Sequence, residues 1–162
     1  MMRFTLEIAS EADVADIAKL HCAASGGKFE SALKGISRRM RESRVYVTRQ
    51  RGSLIATLCL TRKKPWAIDP SYFTPVAIPL YLLAMAVDPR MQRRGIGRQC
   101  LLAAEKIARD WPANAIRLDA YDSPTGAGGF YQRCGYREVG RAVYRKTPLI
   151  YYERLVANAG KD

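Results

Sequence analysis

The segment Gln92-Arg93-Arg94-Gly95-Ile96-Gly97-Arg98 has the residue types and spacing to bind an anion. An apolar run, residues 81–87, precedes it, and an amphipathic helical pattern follows. The first turn of a helix has N–H groups with no partner inside the helix, and the helix dipole adds partial positive charge there. Glycines at such a junction let the backbone come close to a phosphate. Arg93, Arg94 and Arg98 add attraction at longer range. A diphosphate is the natural guest. The spacing is neither that of a Rossmann turn, since Cys100 stands where its third glycine would be, nor that of a Walker loop, since no Gly-Lys-Ser/Thr follows.

The longer segment Val87-Asp88-Pro89-Arg90-Met91-Gln92-Arg93-Arg94-Gly95-Ile96-Gly97 resembles the acetyl-CoA signature of the GNAT superfamily of N-acetyltransferases, Gln/Arg-x-x-Gly-x-Gly/Ala, complete here as Gln92, Gly95 and Gly97. A second segment, Ala127-Gly128-Gly129-Phe130-Tyr131-Gln132-Arg133-Cys134-Gly135-Tyr136, resembles the family's Ala-x-x-Phe-Tyr-x-x-x-Gly-Phe. The resemblance implies that Gln92 to Arg98, Ile96 included, bind the diphosphate of acetyl-CoA. It implies that the backbone of Met85, Ala86 and Val87 hydrogen-bonds the pantetheine arm, where their strand splays from the next. It also implies that Tyr131 protonates the leaving thiolate, a task that suits a phenol, which is neutral at pH 7. Direct attack by a neutral amine on the thioester would follow, with no metal and no Ser or Cys nucleophile. One departure stands out: the family often has an Asn seven residues before this Tyr, and Pro124, which has no N–H, occupies that position.

The elements that must position these residues are legible from periodicity. Residues 4–8 read as a first strand. Ser10 is a plausible N-cap for a helix carrying Val14, Ile17, Ala18 and His21, which Gly26-Gly27 ends. Residues 29–43 read as a second, basic helix with Leu33, Ile36 and Met40 as its apolar stripe. Strands follow over 45–48 and 54–61, separated by Arg51-Gly52. Residues 63–79 hold four prolines together with Trp66, Tyr72 and Phe73, and read as a long irregular loop of the kind that is often functional. A strand over 81–87, a helix from Ile96 to about residue 110, a strand over 115–121 and a short helix over 128–134 come next. Strands over 136–146 and 148–156 close the chain. The order β-α-α-β-β-β-α-β-α-β-β resembles the GNAT layout. The expected fold is a single α/β domain over 1–156, with a mixed central sheet of about seven strands flanked by helices on both faces, and a frayed tail over 157–162.

Composition narrows the function. The 162 residues suffice for one domain with a core. No apolar run is long enough to span a membrane, and residues 1–10 lack the apolar stretch of a signal peptide. Cys22, Cys59, Cys100 and Cys134 show no metal-ligand spacing; three lie in apolar patterns, and reduced thiols in a cytoplasmic protein are the expectation. The net charge of +12 asks for an anionic partner, which coenzyme A, nucleic acid or an acidic protein surface would satisfy. Arg38, Arg39, Arg41 and Arg44 form the densest basic cluster.

Three readings follow. The first is an N-acetyltransferase acting on a small-molecule or peptide amine. The second is a basic member of the same family acting on aminoacyl-tRNA or another nucleic-acid-linked amine. The third is a non-catalytic CoA-binding domain. His21, the only histidine, reads as structural. Asp69, Asp119 and Asp122 are carboxylates in reach of a base role, and neither spacing nor motif selects one. The closing strands offer an edge that a second copy could pair, giving a homodimer.

Overall fold

A computed structural model describes residues 4–157; the tail expected beyond residue 157 lies outside the described residues. Ser10 and Asp13 open the first helix, with the Asp13 carboxylate accepting from the Ser10 N–H at 2.8 Å and paired with Arg49. The Ser10 bond and the Arg49 charge together hold the Asp13 carboxyl below its ordinary range. The strands are β1 (Glu7–Ile8), β2 (Arg44–Gln50), β3 (Ser53–Thr61), β4 (Pro79–Val87), β5 (Ala115–Tyr121), β6 (Arg137–Tyr144) and β7 (Thr147–Leu155). The helices are α1 (Val14–Ser25), α2 (Phe29–Glu42), α3 (Ile96–Asp110) and α4 (Gly128–Arg133). The element order is the expected one. β1 is shorter than the expected 4–8, because its ladder with β2 holds two pairs only, Glu7 with Val47 and Ile8 with Tyr46.

One mixed seven-stranded sheet runs in the order β1-β2-β3-β4-β5-β7-β6. β4 and β5 are parallel, while β1–β2, β2–β3, β5–β7 and β6–β7 are antiparallel. Among the described residues the chain divides into two compact units, residues 4–61 with 83–104 and residues 62–82 with 105–157, so that β4 and α3 each contribute to both.

In the first unit Val14 and Ile17 of α1 meet Ile36 of α2 against Val45, Val47 and Cys59 of the sheet, with Leu33 and Met40 packed beside them. This is the apolar stripe that the helical spacing predicts. α1 stops at Gly26, whose φ of +76° is open to glycine and strained for other residues. His21 is half-buried on α1; burial and the Arg39 charge lower its pKa and favour the neutral ring. Cys59 and Cys100 are fully buried, and burial pushes their thiols up to about 11 and about 12 respectively. Cys22 is only partly covered, because it sits in the last turns of α1 before that helix ends.

In the second unit β5, β7 and β6 form a continuous antiparallel ladder, with Asp119 opposite Tyr151 and Arg117 opposite Glu153. Ile68, Phe73, Tyr81, Leu149 and Tyr151 make its aromatic core. The β6–β7 hairpin turns on Arg145 and Lys146, both left-handed at φ 48° and 68°. Two left-handed residues give a turn whose twist matches the strands, and Asn-Gly is its preferred filling. Replacing Arg145→Asn with Lys146→Gly should therefore raise the unfolding free energy by about 1 kcal/mol. Chemical denaturation would read this as a higher midpoint at unchanged slope.

Candidate functional site

The loop before α3 is built from its own side chains. Asp88 is buried at the end of β4, its N–H donating to Ile55 O at 2.8 Å. Its carboxylate accepts from the Arg90 N–H at 2.9 Å and from the Arg90 guanidinium at 2.8 Å, which together hold the Asp88 carboxyl low. Arg90 is thus spent on framing the turn. Gln92 donates to Val87 O at 3.4 Å, tying the loop back to the strand. Arg93 (φ 65°) and Gly95 (φ 79°) are both left-handed, with Arg94 between them outside that region. Such alternation turns successive N–H groups toward one side and makes an anion nest. A Cβ at Gly95 would meet nothing within 4 Å, so the need for glycine there comes from backbone conformation and not from crowding. Gln99 N–H to Gly95 O, 3.0 Å, is the first bond of α3, which leaves the N–H groups of Ile96, Gly97 and Arg98 in the opening turn. Ile96 is 5% exposed and anchors the helix start, while Arg93, Arg94 and Arg98 are exposed and have no carboxylate partner among the described residues. These features fit a diphosphate.

Met85, Ala86 and Val87 lie in the last part of β4. The described parallel ladder with β5 covers Pro79, Leu80 and Tyr81 only, so none of the three takes part in it. Ala84, just before them, has φ 51°, an irregularity that the apolar run conceals.

Tyr131 sits on α4 among Phe130, Tyr136 and Tyr152, with ring centroids at 5.4, 5.9 and 5.9 Å. Burial, then the charges of Asp119 and Cys134, push its hydroxyl up to about 12. It therefore stays protonated through the neutral range, and no protein group hydrogen-bonds it among the described residues. Gly128 is needed close by because a Cβ there would run into the Tyr152 hydroxyl. Pro124 lies in a turn closed by Gly126 N–H to Ser123 O, 3.0 Å, with Ser123 Oγ 3.2 Å from Thr125 Oγ1.

The three candidate carboxylates differ in their surroundings. Asp69 is exposed, and Ser71 claims it through N–H and Oγ at 3.0 and 2.7 Å. Asp122 pairs with Arg141 at 3.3 Å. Asp119 makes no ion pair or hydrogen bond among the described residues; burial raises its pKa, and its charge acts on both Tyr131 and Tyr151. An unpaired, partly desolvated carboxylate beside a phenol is a common arrangement for proton transfer. The sequence offers Asp119 as one of three candidate carboxylates, and nothing in its spacing or motif selects it.

Residues 62–78 have little regular structure, only a 3-10 turn at Pro70–Tyr72, yet bonds tie them down at several points. Tyr151 donates to Ala67 O and accepts from Asp69 N–H; Glu153, 2% exposed, accepts from Thr74 N–H at 3.2 Å. Arg117 donates to Thr74 O at 2.9 Å and Tyr81 Oη at 3.1 Å, and Asn114 accepts from Ile78 N–H at 2.9 Å. Arg137, at 2.7 Å from Glu153, compensates that buried charge and holds its carboxyl low together with Thr74.

Comparison with known proteins gives the class. A family model described as acetyltransferase (GNAT) family matches residues 14–136, and the chain belongs to that family. The fold is shared with the ribosomal-protein-S18-alanine N-acetyltransferase of Escherichia coli, 17% identical at a TM-score of 0.76 over 99% of this chain and 98% of that one. A Bacillus subtilis acetyltransferase in complex with CoA is 15% identical at a TM-score of 0.72, covering 96% and 100% of the two chains. An aminoglycoside 6'-N-acetyltransferase complexed with coenzyme A is 12% identical at 0.74, covering 97% and 99%. No curated protein sequence matches the chain.

Proposed function

We propose that this acetyltransferase moves an acetyl group from acetyl-CoA to a primary amine by direct attack, with Asp119 as general base and Tyr131 as general acid. The carrying observation is the pair itself: a carboxylate with no ion pair or hydrogen bond among the described residues, whose charge acts on a buried phenol that no described group hydrogen-bonds. Acetyl-CoA supplies a thioester carbonyl as electrophile and a thiol as leaving group. The nest at Arg93 to Gly95, the opening turn of α3 and the three unpaired arginines hold its diphosphate, and the backbone of Met85, Ala86 and Val87 is available to its arm. Asp119 accepts a proton from the incoming amine as the nitrogen–carbon bond forms. Tyr131 donates its proton to the sulfur as the carbon–sulfur bond breaks, and Asp119, its neighbour, can return one to it. The net proton passes from nitrogen to sulfur.

An amine presented by a protein or peptide is the first acceptor to test, since the E. coli neighbour acts on an alanine of a ribosomal protein. A nucleic-acid-linked amine is the second. Lys34, Arg38 and Arg41 form an exposed stripe along α2 at helical spacing, with no carboxylate partner among the described residues. The free thiols suit a reducing compartment, and we place the enzyme in the cytoplasm.

Tyr131→Phe tests the reading. The phenyl ring keeps the packing, so acetyl-CoA affinity by calorimetry should hold while turnover falls by about a hundredfold or more. Unchanged turnover would remove Tyr131 from the chemistry. If the wild type binds acetyl-CoA and acetylates nothing in a panel of peptide, small-molecule and aminoacyl-tRNA amines, the non-catalytic reading takes over.

A further inference from the structure

We propose that the segment Arg62-Lys63-Lys64-Pro65-Trp66 is a contact surface for single-stranded nucleic acid, with the Trp66 indole as its stacking platform. Trp66 is 80% exposed, more than any other large hydrophobic side chain among the described residues, and it makes no hydrogen bond or ring contact there. An indole presents a large flat apolar face with an N–H at its edge, and here most of that face is open to solvent.

The backbone that carries it is fixed. Ile68 N–H donates to Pro65 O at 3.2 Å, closing a turn with Trp66 inside it. Lys64 Nζ donates to Pro65 O and Ile68 O, both at 2.9 Å. Directly after Trp66, Tyr151 grips Ala67 and Asp69, and Ile68 is 1% exposed in the core. The indole therefore projects from a rigid mount, and binding to it costs little ordering of the main chain.

The surroundings choose the partner. Arg62, Lys63 and Lys64 are exposed immediately before the ring; the Asp69 carboxylate, bound by the Ser71 N–H and Oγ, acts on the Lys64 charge. A cationic run beside one bare aromatic face matches a charged backbone that carries flat bases. A lone indole with half-buried Pro65 and Ala67 as neighbours offers too little apolar area for membrane insertion. The net charge of +12 adds long-range attraction to any polyanion. This surface does not depend on the acetyl-transfer reading.

The test is a fluorescence titration of the full chain carrying Trp111→Phe, so that Trp66 is the only indole, with a short oligo(U) and a short oligo(dT). We expect quenching on binding and affinity that falls steeply with salt. Trp66→Ala, followed by anisotropy of a labelled oligonucleotide, should weaken binding by about ten- to a hundredfold; Trp66→Phe should recover part of this. Arg62→Glu with Lys63→Glu should weaken binding and flatten the salt dependence. Circular dichroism should show unchanged folding, since the Trp66 side chain is largely exposed and makes no hydrogen bond or ring contact among the described residues. Binding that Trp66→Ala leaves intact, or equal binding of an inorganic polyphosphate, would reduce the surface to general electrostatics and overturn the proposal. Quenching by anionic lipid vesicles and not by oligonucleotides would overturn it in favour of a membrane.

Discussion

Asp119→Asn should lower kcat by about two to four orders of magnitude and make the protein more stable at the same time. The two effects share one cause. Burial raises the Asp119 pKa above its ordinary value of 3.8 in the folded chain. Between the unfolded and the folded pKa the native state holds the extra proton, so stability falls as pH rises across that window. Above it the folded chain carries a desolvated carboxylate that an unfolded chain would solvate freely. Asparagine cannot ionise and escapes this cost. The stability curves of wild type and variant should therefore converge in acid below pH 3.8 and separate toward neutrality, with the variant ahead. In the wild type, kcat/KM should climb with pH as the carboxyl ionises, and that limb should vanish in the variant. A variant with wild-type turnover would dismiss Asp119 as the base, and one less stable at neutral pH would show that the carboxylate has a native partner.

Gly95→Glu should raise the acetyl-CoA dissociation constant by about a hundredfold or more, with the fold preserved. Two contributions add. The φ of +79° costs any other residue about 1–2 kcal/mol. The carboxylate would also occupy the nest, competing with the diphosphate for the same N–H groups and repelling it. Gly95→Ala separates the two, since it carries only the backbone cost and nothing lies within 4 Å of its Cβ. Titration calorimetry on the three proteins should rank wild type, alanine and glutamate in that order. Equal affinity of the glutamate variant would remove the loop from cofactor binding.

Much of the architecture was legible because local signals and tertiary demands agree. The stripe of Leu33, Ile36 and Met40 packs as its spacing predicts, and Gly26 stops α1 with the conformation that glycine allows. The loop before α3 was legible because its conformation rests on main-chain requirements that few residues satisfy. What escaped reading depends on partners remote in sequence. Asp119 is distinguished only by what β7 and α4 place around it. The Arg145-Lys146 turn lacks the usual Asn-Gly, so nothing local announced it. The left-handed Ala84 is invisible in an apolar run for the same reason. Glu153 and Arg117 read as ordinary strand charges until Thr74, Arg137 and Tyr81 are brought to them.

The bonds from Tyr151, Glu153, Arg117 and Asn114 to residues 67–78 have an evolutionary consequence. They separate the residues that keep the segment's shape from those that project out of it. Ile68, Phe73 and Thr74 belong to the first group and Trp66 to the second. Exchanges at projecting positions can change what the surface recognises without disturbing the backbone beneath. A lineage carrying this arrangement can acquire a new partner through single amino-acid replacements, with no insertion or remodelling of the chain.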